Sequence, residues 1–222
     1  MDRKAATLVL AVSPIWAQSL DAVLARMDAG SVGFRSVAAD IKRTSFTAVI
    51  NDRSEEFGSI KLAKNKNDVR VLLEVTRPDA RSVAFAGDRA QIFYPKINTV
   101  QEIDLGKQKS LVEQFVLLGF GTSGKELGKN YTLKYTGEEP VAGQKASRIE
   151  LTPKSRQVKE QFARMELWIA DPGGFPVQQK LYEPSGNFLT VTYSAIKLNP
   201  NLGPDSLSLR LPKDVKREYP QK

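Results

Sequence analysis

From residue 69 to residue 76 the chain alternates without a break. Val69, Val71, Leu73 and Val75 fall on one side, and Arg70, Leu72, Glu74 and Thr76 on the other. Period two is the signature of a β-strand with one apolar face. Such a strand is stable only in a sheet whose apolar face is covered, so this segment sets the fold class for its surroundings. Turn signals follow at short intervals. Pro78-Asp79 precedes a return strand over 81–86, with Val83 and Phe85 on one face. Gly87-Asp88 precedes a strand over 91–94, Pro95 stops it, and 100–105 reads as a further strand. Upstream, 34–50 reads as one long strand ending in the turn-like 51–54, and 57–63 as a second. Short strands spaced this way describe a barrel or a sandwich.

The second half repeats the habit. Tyr131, Leu133 and Tyr135 alternate, and 137–143 reads as a hairpin turn containing Pro140. Residues 146–152 lead to Pro153, and Met165, Leu167 and Ile169 alternate with charged or aromatic neighbours. Asp171-Pro172-Gly173-Gly174 and Pro184-Ser185-Gly186 are turns. Leu207, Leu209 and Leu211 suggest a last strand before Pro212. Helical spacing occurs in three places. Ser19 can cap a helix carrying Leu20, Val23, Leu24 and Met27 and closed by Gly30. Ser110-x-x-Glu113 has the capping-box pattern before Leu111, Val112, Phe115, Val116 and Leu118, a set apolar around most of the circumference. Ser123-x-x-Glu126 repeats that pattern.

The 222 residues include neither histidine nor cysteine. Ser-His-Asp and Cys-His catalysis, Cys/His zinc sites, Fe–S clusters and disulfides are therefore excluded. No catalytic residue, metal ligand or cofactor site is assigned, and the chain is read as a binding protein and not an enzyme. Glu55-Glu56 and Glu138-Glu139 read as solvated turn charges, because adjacent strand residues point to opposite faces. Gly119-x-Gly121-x-x-Gly124 has the spacing of a dinucleotide fingerprint. That fingerprint needs a preceding strand within a βαβ unit, and here a helix precedes it. A connection between two short helices is expected instead. The net charge of +8 is spread along the chain. No nucleic-acid partner is read from it.

The N-terminus has a basic start (Arg3, Lys4), an apolar run from Ala5 to Trp16 and a small residue, Ala17. This is the pattern of a secretory signal, too short to span a bilayer. Residues 1–17 are expected to be a signal peptide and 18–222 a single domain. The apolar stripes fit an ordinary core. Periodicity alone favours that reading; the arrangement, a meander with one apolar face and helices apolar nearly all round, can also close over a cavity.

The mature region resembles the LolA-like periplasmic lipoprotein carriers. The similarity rests on several short motifs in order. They are Phe34-Arg35-Ser36-Val37-Ala38-Ala39-Asp40 after the first helix, Gly58-Ser59-Ile60-Lys61-Leu62, Thr76-Arg77-Pro78-Asp79 and Ile92-Phe93-Tyr94-Pro95. Leu151-Thr152-Pro153-Lys154, Ile196-Lys197-Leu198-Asn199 and the run from Leu209 to Val215 complete the series. The resemblance implies a mainly β (α+β) fold: an unclosed antiparallel β-barrel of about 10–11 strands under a lid of short helices. It implies an apolar cavity lined by Val71, Leu73, Val75, Val83 and Phe85 of the sheet, by Leu111, Phe115 and Leu118 of the lid, and by Leu20, Leu24 and Met27 of the first helix. It implies lipoprotein acyl chains or another lipid as ligand, a monomeric periplasmic protein, an inner-membrane donor and an outer-membrane acceptor. A sensor domain of the same fold is the alternative. The sequence departs from the family in three places. Lys64-Asn65 stands where the carriers have an Arg-Pro whose Arg holds the lid, Leu73 stands where an aromatic is usual, and 142–164 is more charged.

Overall fold

A computed structural model describes residues 19–65 and 68–220. The expected signal peptide, residues 1–17, lies outside them. Helix α1 (Leu20–Ser31) is followed by a first meander: β1 (Ser36–Thr47), β2 (Asp52–Asn65), β3 (Asp68–Arg77), β4 (Arg81–Ala86), β5 (Arg89–Tyr94) and β6 (Thr99–Asp104). Helices α2 (Lys109–Val116) and α3 (Gly124–Asn130) come next. A second meander follows: β7 (Tyr131–Val141), β8 (Gln144–Pro153), the short helix α4 (Arg156–Gln161), β9 (Arg164–Ala170), β10 (Pro176–Tyr182) and β11 (Phe188–Leu198). Strand β12 (Lys216–Glu218) ends the series.

All twelve strands form one sheet in the order β12-β6-β5-β4-β3-β2-β1-β11-β10-β9-β8-β7. The two meanders are joined where β11 returns to β1, antiparallel, with Ile41 opposite Tyr193 and Phe46 opposite Phe188. Strands β7 and β12 are the edges, and the sheet does not close. This is the unclosed architecture that the resemblance implies, with twelve strands among the described residues where about 10–11 are expected, and antiparallel throughout except for β12, which runs parallel to β6. The inner face carries the odd-numbered apolar residues of β3 and their cross-strand partners, and the helices lie on it.

Several boundaries differ from expectation. Strand β1 stops at Thr47. A 3₁₀ turn spans Ala48–Ile50, and Asn51, at φ 49°, returns the chain directly into β2. Strand β7 runs through Pro140 to Val141, so the turn shrinks to Ala142-Gly143. Proline is tolerated there because β7 is an edge strand, which has no second neighbour requiring its N–H. Glu55, Glu56, Glu138 and Glu139 consequently lie within strands. Ser19 and Ser123 cap as expected, accepting from the N–H groups of Ala22 and Glu126. Ser110 does not, because a 3₁₀ turn (Gly106–Gln108) runs straight into α2 and places Ser110 inside the helix. Helix α1 passes Gly30 and ends at Ser31.

The expected strand at Leu207, Leu209 and Leu211 is not one. Pro204–Leu207 is a 3₁₀ turn that packs on the outside of β2 and β3, and the following residues form an extended strap without ladder pairing. Leu207 is buried, as are Leu72 and Ala84 on the outer face of β3 and β4. The leucine alternation reports a strap that turns one side towards the sheet: Leu209 and Leu211 are half-buried, and Ser208 and Arg210 between them are exposed. The strap delivers β12 to pair in parallel with β6.

Candidate apolar site between sheet and helices

Cross-strand register sorts the inner face of the first meander into rows. Val37, Leu62, Val71 and Phe85 lie side by side across β1, β2, β3 and β4, and all are buried. The next row is Ala39, Ile60, Leu73, Val83 and Ile92. Ala39 is buried, but Ile60, Leu73, Val83 and Ile92 are only half-buried. Beyond it come Ile41, Gly58, Val75 and Arg81. Ile41 and Val75 are buried. Arg43 and Glu56 stand opposite each other one step further. The face thus runs from a buried apolar row through a half-open one to a third in which Ile41 and Val75 are buried again, and ends in a charged rim.

That rim is a built network. The Glu56 carboxylate accepts from Arg43 Nη1 at 2.5 Å and from Arg81 Nη1 at 2.6 Å. The hydrogen bond from Arg81, with Arg43's charge adding to it, holds the Glu56 carboxyl below the usual carboxylate range although burial opposes this. Burial lowers the Arg43 guanidinium. Glu56 is therefore not a solvated turn charge. Its neighbour Glu55 pairs with Lys42 at 2.7 Å, so the two carboxylates do point to opposite faces.

The helices divide this interior. Leu111 and Phe115 of α2 pack toward one cluster, formed by Val23 and Met27 of α1, Leu127 of α3, Leu118, and Ile149, Leu151, Met165, Leu167 and Ile169 of the second meander. Phe115 meets Phe162 edge-on, with centroids 4.6 Å apart. Val112 and Val116 of the same helix pack toward the other cluster, which holds Val37, Leu62, Val71, Phe85, Phe120 and Tyr193. Helix α2 is thus a wedge with two apolar sides, and none of its residues is fully buried. The expected lining residues therefore do not meet in one place. Val71, Leu73 and Phe85 belong to the first-meander cluster, while Leu20, Leu24, Met27, Leu111, Phe115 and Leu118 belong to the other. Val75 and Val83 lie on the first-meander face, outside both clusters. Sequence reasoning listed Val112 and Val116 on the helix but left them, and Phe120, out of the site. The signal was present, since the helix is apolar nearly all round.

In this conformation the space between sheet and helices is occupied by the protein itself. Val23, Met27, Leu118, Phe120 and Leu127 are buried there. The clefts at the helix margins are polar. One of about 280 Å³ lies among Lys64, Glu113, Gln114, Leu118, Thr122 and Tyr131. Another, of about 450 Å³, lies between α2 and α4 beside Ser110, Gln114, Lys129 and Lys154.

Three contacts fasten the wedge. Gln179 Nε2, buried on β10, donates to the Leu118 carbonyl at 2.5 Å. Gln114 Nε2 donates to the Tyr131 hydroxyl at 2.8 Å. Lys64 Nζ donates to the Gly121 carbonyl at 3.3 Å and so ties the sheet to the helical cover. The glycines of the fingerprint-like run serve packing. A Cβ on Gly121 would fall 2.2 Å from the Phe34 ring, and one on Gly124 would fall 2.7 Å from the Leu24 side chain. Among the described residues no group of three Asp or Glu side chains could hold a metal ion, and no helix is long and apolar enough to cross a membrane.

Residues 70–199 match the model of a protein family described as "Uncharacterized protein". The chain belongs to that family. No curated protein matches the sequence. Among solved structures, an uncharacterized conserved protein from Thermus thermophilus is 15% identical, with 91% of this chain and 99% of that one covered and a TM-score of 0.56. MucB is 19% identical with a TM-score of 0.52, covering 86% of this chain and 64% of MucB, so the chain spans a little under two thirds of MucB's length. The Mycobacterium tuberculosis lipoprotein LppX is 18% identical, with 83% and 99% covered and a TM-score of 0.50. At these identities the likeness is one of fold. The observed architecture, one unclosed β-sheet with short helices on it, is the kind the resemblance implies.

Proposed function

We propose that the chain is a periplasmic carrier. It takes the acyl chains of lipoproteins, or another lipid, between the inner sheet face and helix α2, and carries them from the inner towards the outer membrane. The observation that supports this reading is the wedge itself. Helix α2 is apolar on two sides and nowhere fully buried, and it stands beside the half-open row Ile60, Leu73, Val83 and Ile92. Displacing α2 would exchange side-chain contacts for acyl-chain contacts of the same chemical kind. Each methylene taken from water gains about 0.8 kcal/mol. Cargo that comes from one membrane and returns to another competes with lipid instead, so net transfer is near neutral and the position of the wedge decides loading or release. The donor would be an inner-membrane complex and the acceptor a component of the outer membrane.

The test is the intact mass of the protein purified from a bacterial envelope under native conditions, with organic extraction alongside. A bound diacyl or triacyl lipopeptide supports the carrier. A second reading, a sensor module of the same fold, draws on the interior being filled by the protein's own side chains, so that the packing is complete without a ligand. A protein that arrives empty and refuses added lipid, yet holds a membrane-anchored signalling protein stably, would favour that reading and overturn the carrier.

A further inference from the structure

The tip of the β1–β2 hairpin presents an apolar pair to solvent on a rigid mount. Val49 is 90% and Ile50 69% exposed, although both are large aliphatics. The tip is not loose. The Ala48 N–H donates to Asn187 Oδ1 at 2.9 Å, the 3₁₀ turn is closed by the Asn51 N–H onto the Ala48 carbonyl, and Asn187 is itself held by Glu183. Behind the tip, on the outer face of the sheet, four strands contribute a row: Arg53, Phe46, Phe188 and Tyr182. Phe46 and Phe188 stack with centroids 4.9 Å apart. Arg53 lies over both rings, at 5.5 and 5.8 Å. Lys180 Nζ lies 4.0 Å from the Phe188 centroid and 4.7 Å from that of Tyr182.

The nearby carboxylates are engaged elsewhere. Glu55 pairs with Lys42, Glu150 with Arg164, and Glu166 with Arg148 and the Tyr182 hydroxyl. Glu183 accepts from Asn187 and Ser185, and Asp52 sits on the other face of the strand. Arg53 has the two phenyl rings as its neighbours. Lys180 stands opposite Glu166 across β9 and β10 and feels its charge, but the Glu166 oxygens are taken by Arg148 and the Tyr182 hydroxyl, so the ammonium lies over the rings. Exposed aliphatics at the extremity, aromatics behind them and cations over the rings form the sequence of chemistries found at a membrane–water interface. We propose that this hairpin end docks the protein on an anionic phospholipid surface. Val49 and Ile50 enter the headgroup region, and Arg53 and Lys180 meet lipid phosphates.

The inference stands apart from cargo carriage, because it needs no ligand in the interior. It is tested by flotation of the full chain with vesicles of phosphatidylcholine alone and of phosphatidylcholine with phosphatidylglycerol, at low and high salt. The expected result is flotation with the anionic vesicles, weakening with salt. Binding falls about thirty-fold in the Arg53→Gln/Lys180→Gln variant, from about 1 kcal/mol per basic residue at such a surface. It falls at least tenfold in Val49→Ser/Ile50→Ser, with the denaturation midpoint unchanged because both positions are exposed. Lipid merely extracted into the interior would leave the protein in the aqueous fraction. Equal flotation of the variants would overturn the proposal. So would a full chain that ignores anionic vesicles but is retained on immobilised polyglutamate, which would point to an acidic protein partner.

Discussion

Helix α2 opens, on the reading above, by drawing the segment that follows it away from the sheet, and one hydrogen bond holds that segment. Gln179 is 5% exposed on β10, and its side-chain amide donates to the Leu118 carbonyl at 2.5 Å. Leu118 and Phe120, the residues just past the helix, are each 2% exposed, so this point is the catch that opening must release, while α2 itself is only half-buried. Gln179→Met keeps the side-chain length and removes the donor. The Leu118 carbonyl is then buried without its partner, which costs about 1–3 kcal/mol. The cost falls on the closed state alone, because water reaches the carbonyl once α2 has moved. The open state should therefore become about 5- to 150-fold more populated, at tenfold per 1.4 kcal/mol. The assay is the rate at which a fluorescent diacyl lipopeptide enters the purified protein, measured alongside urea denaturation. Faster uptake together with lower stability is expected. If stability drops by the full amount while uptake keeps its wild-type rate, opening does not break this bond and the catch lies elsewhere.

Other expectations follow from the same geometry. Leu73→Glu and Phe115→Glu should each abolish lipid retention while leaving the far-ultraviolet circular dichroism unchanged, since Leu73 is half-buried in the open row of the sheet and Phe115 half-buried on the second-meander side of the wedge. Retention at the wild-type level in both variants would refute the assignment of the site. Gly121→Ala should destabilise by about 2–4 kcal/mol in chemical denaturation, because Gly121 has φ +63° and an added Cβ meets the Phe34 ring at 2.2 Å. Stability should also decline as pH rises from about 10 to about 12. Burial pushes the Tyr131 phenol up to about 12, and burial with the hydrogen bond to Glu166 does the same for Tyr182. A raised phenol leaves folding stability intact below its unfolded value near 10 and loses it as pH climbs through the folded value. Tyr131→Phe and Tyr182→Phe should each flatten that decline in urea midpoints recorded across the range.

What the sequence discloses and what it withholds divide along one physical line. Alternation is local, so β3, with Val71, Leu73 and Val75 on one face, and β9, with Met165, Leu167 and Ile169, are legible without knowing their neighbours. Boundaries depend on what lies across the sheet. Pro140 reads as a turn until β7 is known to be an edge, and Leu209 reads as a strand until its segment is known to be a strap over the outer face. Ser110-x-x-Glu113 satisfies a capping box, yet Gln108, at φ −86° and ψ −8°, carries the chain from a 3₁₀ turn into α2, leaving Ser110 no N-terminus to cap. The site obeys the same division. That α2 is apolar nearly all round can be read from its spacing. That Leu111 and Phe115 serve one meander while Val112 and Val116 serve the other cannot, because it follows from β11 closing onto β1 some 80 residues downstream. Glu56 makes the point most sharply. Its sequence neighbours suggest a solvated turn, and only the register that sets it opposite Arg43 and within reach of Arg81 makes it the charged rim of an apolar face. A chain can thus announce that it has an apolar interior while the partition of that interior, and the element that must move to open it, are set by long-range pairing alone.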